Sequence, residues 1–312
     1  MGKHFSRGPN MKCSKLSLCV STVIAAACVL FACTHNPATG KKEFAPFMPS
    51  TGQQVSLGLK AAPEFERQSG GRITNPVVQN YVNSVGQRIV AVIPPNERRD
   101  FRFSFTVVND KIINAFALPG GPIYITRGLL YKLETEADLA FILGHEVGHV
   151  VAQHSARQMS KQTEMQLLIA GAGMLAGDSQ GGQTAVELGK FAGGMYLLKY
   201  GRDEESQADT LGLKYIVSAG YDPQASIAVM KVLQSATSGS SKGNDWFATH
   251  PNPGNRLESL NNQIRRNYPQ TINNPKFVTN REAFSQNVLR QRAEVDGPVR
   301  QFEELLVSIN AD

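Results

Sequence analysis

The strongest constraint on this chain is the run FILGHEVGHVVAQH at 141–154, in which His145, Glu146 and His149 form an HExxH arrangement. On an α-helix, residues four apart lie on one face, so two imidazoles can grip a single metal ion while a carboxylate stands beside them. Local signals favour the helix. Thr135 is an N-cap followed by Glu136 and Asp138 in the first turn, and Leu139, Ile142, Leu143, Val147, Val150 and Val151 recur at helical spacing. A helix this apolar suits a buried metal site better than a solvated face. Zinc takes neutral histidine nitrogens and, in catalytic sites, keeps one position for water, whose proton Glu146 is placed to take. The chemistry implied is that of a zinc hydrolase.

A third ligand has to come from elsewhere. The metzincin pattern, with a third histidine ten residues after the first and a glycine before it, is excluded because Ala152 and Ser155 occupy those positions. His154 falls one residue short of that place and five after His149, on a different part of a continuing helix, and reads as a structural hydrogen-bond partner. Downstream, YGRDEESQADTLGLKY (200–215) places Glu205 and Asp209 one turn apart on a second predicted helix. Acidic pairs at this spacing are commonly a solvated face. Beside an HExxH helix, Glu205 could complete a His-His-Glu site, and Asp209 could accept the second ring N–H of a ligating histidine.

GHEVGHVVAQHSARQMS (144–160), the R-x-x-E-x-x-A-D pattern from Arg202 to Asp209, and THPNPGNR (249–256) together resemble the CAAX-endopeptidase, HtpX and BepA/LoiP-like zinc metallopeptidases, family forty-eight of the metallopeptidases. The likeness covers about residues 50 to 268 and is nearest the lipid-anchored bacterial branch. It implies one zinc ion per chain on His145, His149 and Glu205, with Glu146 as general base. It also implies an α+β, mainly helical, gluzincin-like protease domain with a small β-sheet beside the HExxH helix. Gln207 stands where many relatives have a second Glu. The segment holding His250 approaches the active site in this family, so His250 either stabilises the oxyanion or takes the fourth zinc position, unless it merely caps a loop before Pro251. Arg202 and Arg256 could orient the acids and histidines through forked hydrogen bonds.

The first residues read as an address. Lys3, Arg7, Lys12 and Lys15 precede an uncharged apolar stretch from Leu16 to Phe31, too short to span a bilayer and suited to a signal peptide, with Met11 as an alternative start. Leu30-Phe31-Ala32-Cys33 looks like a lipoprotein processing box, making residues 1–32 the signal and Cys33 the lipidated first residue of the mature chain. Removal of Cys13, Cys19 and Cys28 would leave no disulfide. Thr34, in place of Asp, points to an outer-membrane lipoprotein facing the periplasm of a bacterial envelope. Four of the 32 basic residues go with the leader, so the formal charge of +6 carries no nucleic-acid signal.

In the mature chain, 33–50 reads as a tether, 51–268 as the protease domain and 269–312 as a polar, partly helical extension with possible helices at 284–292 and 299–309. Asn75-Pro76 opens a helix with Val78, Val82, Val85 and Ile89 on one face, and strands are expected at 101–107, 112–118 and 123–126. The Asn114–Gly121 segment is either an edge strand able to pair with an extended peptide or an ordinary hairpin turn. Leu167 to Gly177 is apolar but too short to cross a bilayer, and 235–244 reads as a loop suited to gating. No repeat array follows. The expected function is a lipid-anchored zinc metalloendopeptidase acting on unfolded or misassembled envelope proteins, with outer-membrane assembly machinery as a possible partner. The alternative is a periplasmic chaperone or adaptor with a gated or mainly structural zinc site.

Overall fold

The computed structural model describes residues 33–175, 199–237, 246–251 and 255–293. The signal segment, the last two residues of the apolar stretch from Leu167 to Gly177, most of the 235–244 loop and the helix expected at 299–309 lie outside them. After a hairpin of β1 (Cys33–His35) and β2 (Lys42–Phe44) come α1 (Thr51–Gln68) and α2 (Pro76–Ala91). Asn75 caps α2 by accepting from Val77 N and Val78 N, and Val78, Val82, Val85 and Ile89 are fully buried, as the spacing predicts.

A three-stranded sheet follows, of β3 (Ser104–Val108), β4 (Ala115–Ala117) and β5 (Pro122–Thr126), in the order β3-β5-β4. β3 runs parallel to β5, and β4 antiparallel to it, with Phe105 opposite Ile123 and Phe116 opposite Tyr124. The strands are shorter than the alternation suggests. Arg102 N and Ser104 N donate to the carbonyls of Gly120 and Gly121, so Phe101 and Phe103 line a turn ahead of the ladder. Ile112 N binds Asp110 Oδ1, while Thr126 Oγ1 donates to Ile112 O and Asn114 O, which turns 110–114 into a loop. β4 is thus both an edge strand and one arm of a tight hairpin.

The HExxH helix, α3 (Glu136–Val151), carries a capping box between Thr135 and Asp138 and is buried along its whole length. It stops at Val151. Gln153 adopts φ 59°, and α4 (His154–Leu175) starts anew, so His154 leads the next helix and does not continue the first. α5 (Arg202–Ser218) packs antiparallel against α3 at very short range. A Cβ built on Gly148 would lie 3.0 Å from Ala208 O, and one built on Gly212 would lie 3.0 Å from His145 N. α6 (Gln224–Thr237) and α7 (Arg256–Asn267) complete the helical layer, so Ser235 to Thr237 are helical where a loop is expected.

Both flanks of the domain do more than their composition suggests. The 33–50 segment is not a bare tether: Asn36 is buried, and its amide donates to Val151 O at the end of α3 (3.0 Å), while Phe47 N donates to Ser160 Oγ. Past residue 268, Phe284 and Val288 enter the same core as α2 and α3, Ala137 N donates to Thr279 O, and 281–289 is helical. The C-terminal flank also reaches Glu136, the buried first residue of α3. Its carboxylate accepts from Tyr81 and Tyr221 hydroxyls and from Asn280 Nδ2 (2.7 Å), and pairs with Arg88 (2.9 Å). Burial alone would raise its pKa, but the Tyr81, Asn280 and Arg88 bonds hold it below the usual carboxylate value. The stability it contributes is therefore present above the unfolded pKa of about 4.3 and is lost as pH falls through the lower folded value. Glu136→Gln should lose about 1–3 kcal/mol at pH 7 by urea denaturation, with the gap to wild type narrowing near pH 3.

Candidate metal centre

The close contact of α3 with α5 brings Glu205 and Asp209 up to the two histidines. His145 Nδ1–H donates to Asp209 Oδ1 at 3.0 Å, which turns its Nε2 lone pair toward His149 Nε2, 3.0 Å away. Glu205 lies 3.6 Å from His145 Nε2 and 3.5 Å from His149 Nε2. His250, delivered by the short helix Trp246–Thr249, places Nδ1 2.9 Å from Glu205 Oε1 and 3.4 Å from His145 Nε2. All four residues are buried, and one ligand atom from each lies within 4.8 Å of the others.

Arg256, at the start of α7, holds both acids from behind. Its Nε and Nη2 fork onto Asp209 at 2.8 and 2.6 Å, and Nη1 faces Glu205 Oε2 at 2.8 Å. Burial would raise Asp209, but Arg256 and His145 hold it far below the usual carboxylate range. Burial would likewise raise Glu205, and His250, His145 and Arg256 outweigh it. Burial and the rings of His145 and His154 push His149 well below the ordinary histidine value, so that ring is neutral. His250 is pulled the other way: burial lowers it, and Glu205 and Glu146 more than restore its affinity for a proton.

Glu146 stands apart. Its carboxylate is fully buried and accepts no hydrogen bond from the described residues, with His250 Nε2 3.5 Å from Oε1. Burial, reinforced by the negative charge of Glu205, raises its pKa.

These donors fit one divalent ion. Two imidazole nitrogens 3.0 Å apart need either a proton or a metal cation between them. A tetrahedron with ligands about 2.0–2.1 Å from its centre has edges of about 3.3 Å; five of the six donor pairs here lie 2.9 to 3.6 Å apart, and all four donors lie within 4.8 Å of one another. With all three buried carboxylates ionised, the one buried guanidinium would leave two negative charges for a divalent ion to match. Nitrogen and carboxylate donors in a four-point array are a zinc set.

Residues 76–264 match Peptidase family M48. The chain belongs to that family. Among its M48 relatives are proteins named Beta-barrel assembly-enhancing protease from Yersinia pestis, 31% identical over 225 residues, and from Escherichia coli K12, 29% identical over 228. Those alignments cover 70% and 72% of this chain and 46% of each relative. The Mitochondrial metalloendopeptidase OMA1 of Schizosaccharomyces pombe is 31% identical over 182 residues, covering 58% of this chain and 51% of that protein. The chain thus spans about half the length of the curated relatives it matches. M48 peptidases depend on zinc, in keeping with the donor set.

Of the residues singled out in the sequence, the fold gathers His145, Glu146, His149, Glu205, Asp209, His250 and Arg256. It does not gather Arg202. That arginine is the first residue of α5, is exposed, and lines a surface cleft with Arg157 and Lys161. Two aromatic walls were not legible in the pattern. Tyr200 stacks on His149 with ring centroids 3.9 Å apart, and Trp246 stacks on His250 at 4.2 Å. Tyr200 has one signal, its place just ahead of the acidic helix, and Trp246 is the chain's one tryptophan. Removing a buried cation that serves two carboxylates is costly, so Arg256→Met should destabilise the metal-free protein by about 3–5 kcal/mol in urea unfolding.

Proposed function

We propose that the chain is a zinc-dependent endopeptidase of the cell envelope. The observation that carries this reading is the convergence of four buried donors beside a carboxylate that has no hydrogen-bond partner among the described residues. His145, His149 and Glu205 would hold the metal, with His250 in reach of the same point. When bound, zinc supplies Lewis-acid polarisation of the scissile carbonyl. Glu146 takes a proton from the attacking water and returns it to the leaving amine. Asp209 and Arg256 hold His145 and Glu205 in place. The substrate's main chain pairs with the open side of β4, whose neighbour Asn114 reaches Thr249, next to His250. Pairing of this kind reads backbone more than side chains and suits extended, unfolded proteins.

The names of the bacterial relatives support envelope β-barrel proteins as clients and a link to outer-membrane assembly. The leader supports export, with Cys33 as a lipid anchor at the outer membrane. No described helix is long and apolar enough to cross a membrane. A second reading rests on His250. With its Nδ1 in the donor set the site is closed, which suits a resting enzyme and also a chaperone or adaptor whose zinc is structural.

Cleavage of a urea-unfolded outer-membrane β-barrel protein by the zinc-loaded full chain separates the readings. Glu146→Gln at equal zinc content should reduce the rate about 10²–10⁴-fold. If wild type and variant both fail to cleave while both still keep the client from aggregating, the chaperone reading prevails.

A further inference from the structure

The two histidines of the HExxH pair are supported differently. His145 rests its Nδ1–H on the Asp209 carboxylate. Among the described residues, no acid bonds Nδ1 of His149. Its Nδ1 lies 2.8 Å from Nδ1 of His154, a fully buried ring from the first residue of α4. Two like nitrogens at that distance need one proton between them. Since His149 turns Nε2 toward His145 and Glu205, a neutral ring that gives that lone pair keeps its proton on Nδ1. His154 Nδ1 must then accept, and the His154 proton falls on Nε2, which faces Gln207 Oε1 at 3.4 Å. Gln207 is half-buried and lines the surface cleft with Arg157 and Lys161.

We propose that His154 is a positioning residue of the metal centre: it accepts the Nδ1–H of His149, continues the chain to Gln207, and fixes the tautomer and ring plane in which His149 presents Nε2. The inference rests on the zinc reading above. Geometry favours it over simple core packing. The His149 ring is held by its face against Tyr200 and by its edge against His154, whose ring stands at 76° to it with centroids 4.8 Å apart. A packing role would need neither the nitrogen-to-nitrogen approach nor the amide oxygen at the far side. The break at Gln153 is what makes the approach possible, because the left-handed residue swings the new helix so that its first side chain returns toward His149. Gln207 closes the relay, since its amide oxygen accepts from His154 without adding a negative charge behind the metal.

The test measures zinc on the full chain by competition with a chromophoric chelator, together with the thermal stability of the metal-free protein and the ¹⁵N-histidine NMR signal of a protonated His149 Nδ1. Wild type should bind one zinc and show that signal. His154→Phe, which fills the space without an acceptor, should weaken zinc binding about 10–100-fold and lose the signal. His154→Asn, which sets an amide oxygen near the Nδ1 position, should recover most of both. Unchanged affinity in His154→Phe overturns the proposal, as does an Asn variant no better than Phe. If His154→Phe does not fold, Gln207→Leu decides: severalfold weaker zinc binding supports the relay, and wild-type affinity overturns it. A wild-type chain that binds no zinc overturns the metal reading itself, whereas one zinc in wild type with indifferent variants overturns only the relay.

Discussion

The site depends on how closely two helices approach. Gly144 and Gly148 of α3 face Gly212 and Ala208 of α5 closely enough that a Cβ on either α3 glycine would touch the α5 main chain, so Glu205 and Asp209 come within reach of His145 and His149. A larger residue at Gly148 or Gly212 would push against main-chain atoms that cannot yield, and the donor set would open with the helices. The approach is also what buries three carboxylates together, an arrangement that Arg256 offsets only in part. Apolar packing supplies the force that closes the pair, and the metal with Arg256 removes the electrostatic penalty of closing it.

How much of this was legible follows from what each residue depends on. The His145–His149 pair and the Glu205–Asp209 pair were readable because a helix fixes their relation by spacing alone. That the two pairs belong to one site is a tertiary fact, which the residue types suggested and the family resemblance reinforced. Arg256 and Arg202 looked alike in the sequence, yet only Arg256 starts a helix aimed at the acids. His154 was recognisable as a structural partner, but its direction was not, since the helical spacing runs straight through a break that a single left-handed glutamine imposes. Tyr200 and Trp246 act through ring stacking across the fold, which leaves no local periodicity.

Composition misled at both flanks for a common reason. Prolines and polar residues at 33–50 suggested a spacer, and polar residues beyond 268 suggested an appendage. What docks each flank is a few side chains: Asn36 on one side, and Asn280, Phe284 and Val288 on the other. One satisfied buried hydrogen bond or two core residues are invisible in an average, yet they tie both flanks to the two ends of the same helix.

The contact between Asn36 and Val151 bears on where such an enzyme can work. Three peptide units separate Cys33 from Asn36, a reach of about 10–11 Å even when fully extended, and Asn36 is bonded to the last residue of the metal helix. A lipid on Cys33 would therefore act as a short leash and leave the active centre little freedom to roam. If Cys33 carries a lipid, clients would be met at the membrane surface and not in the open volume beyond it.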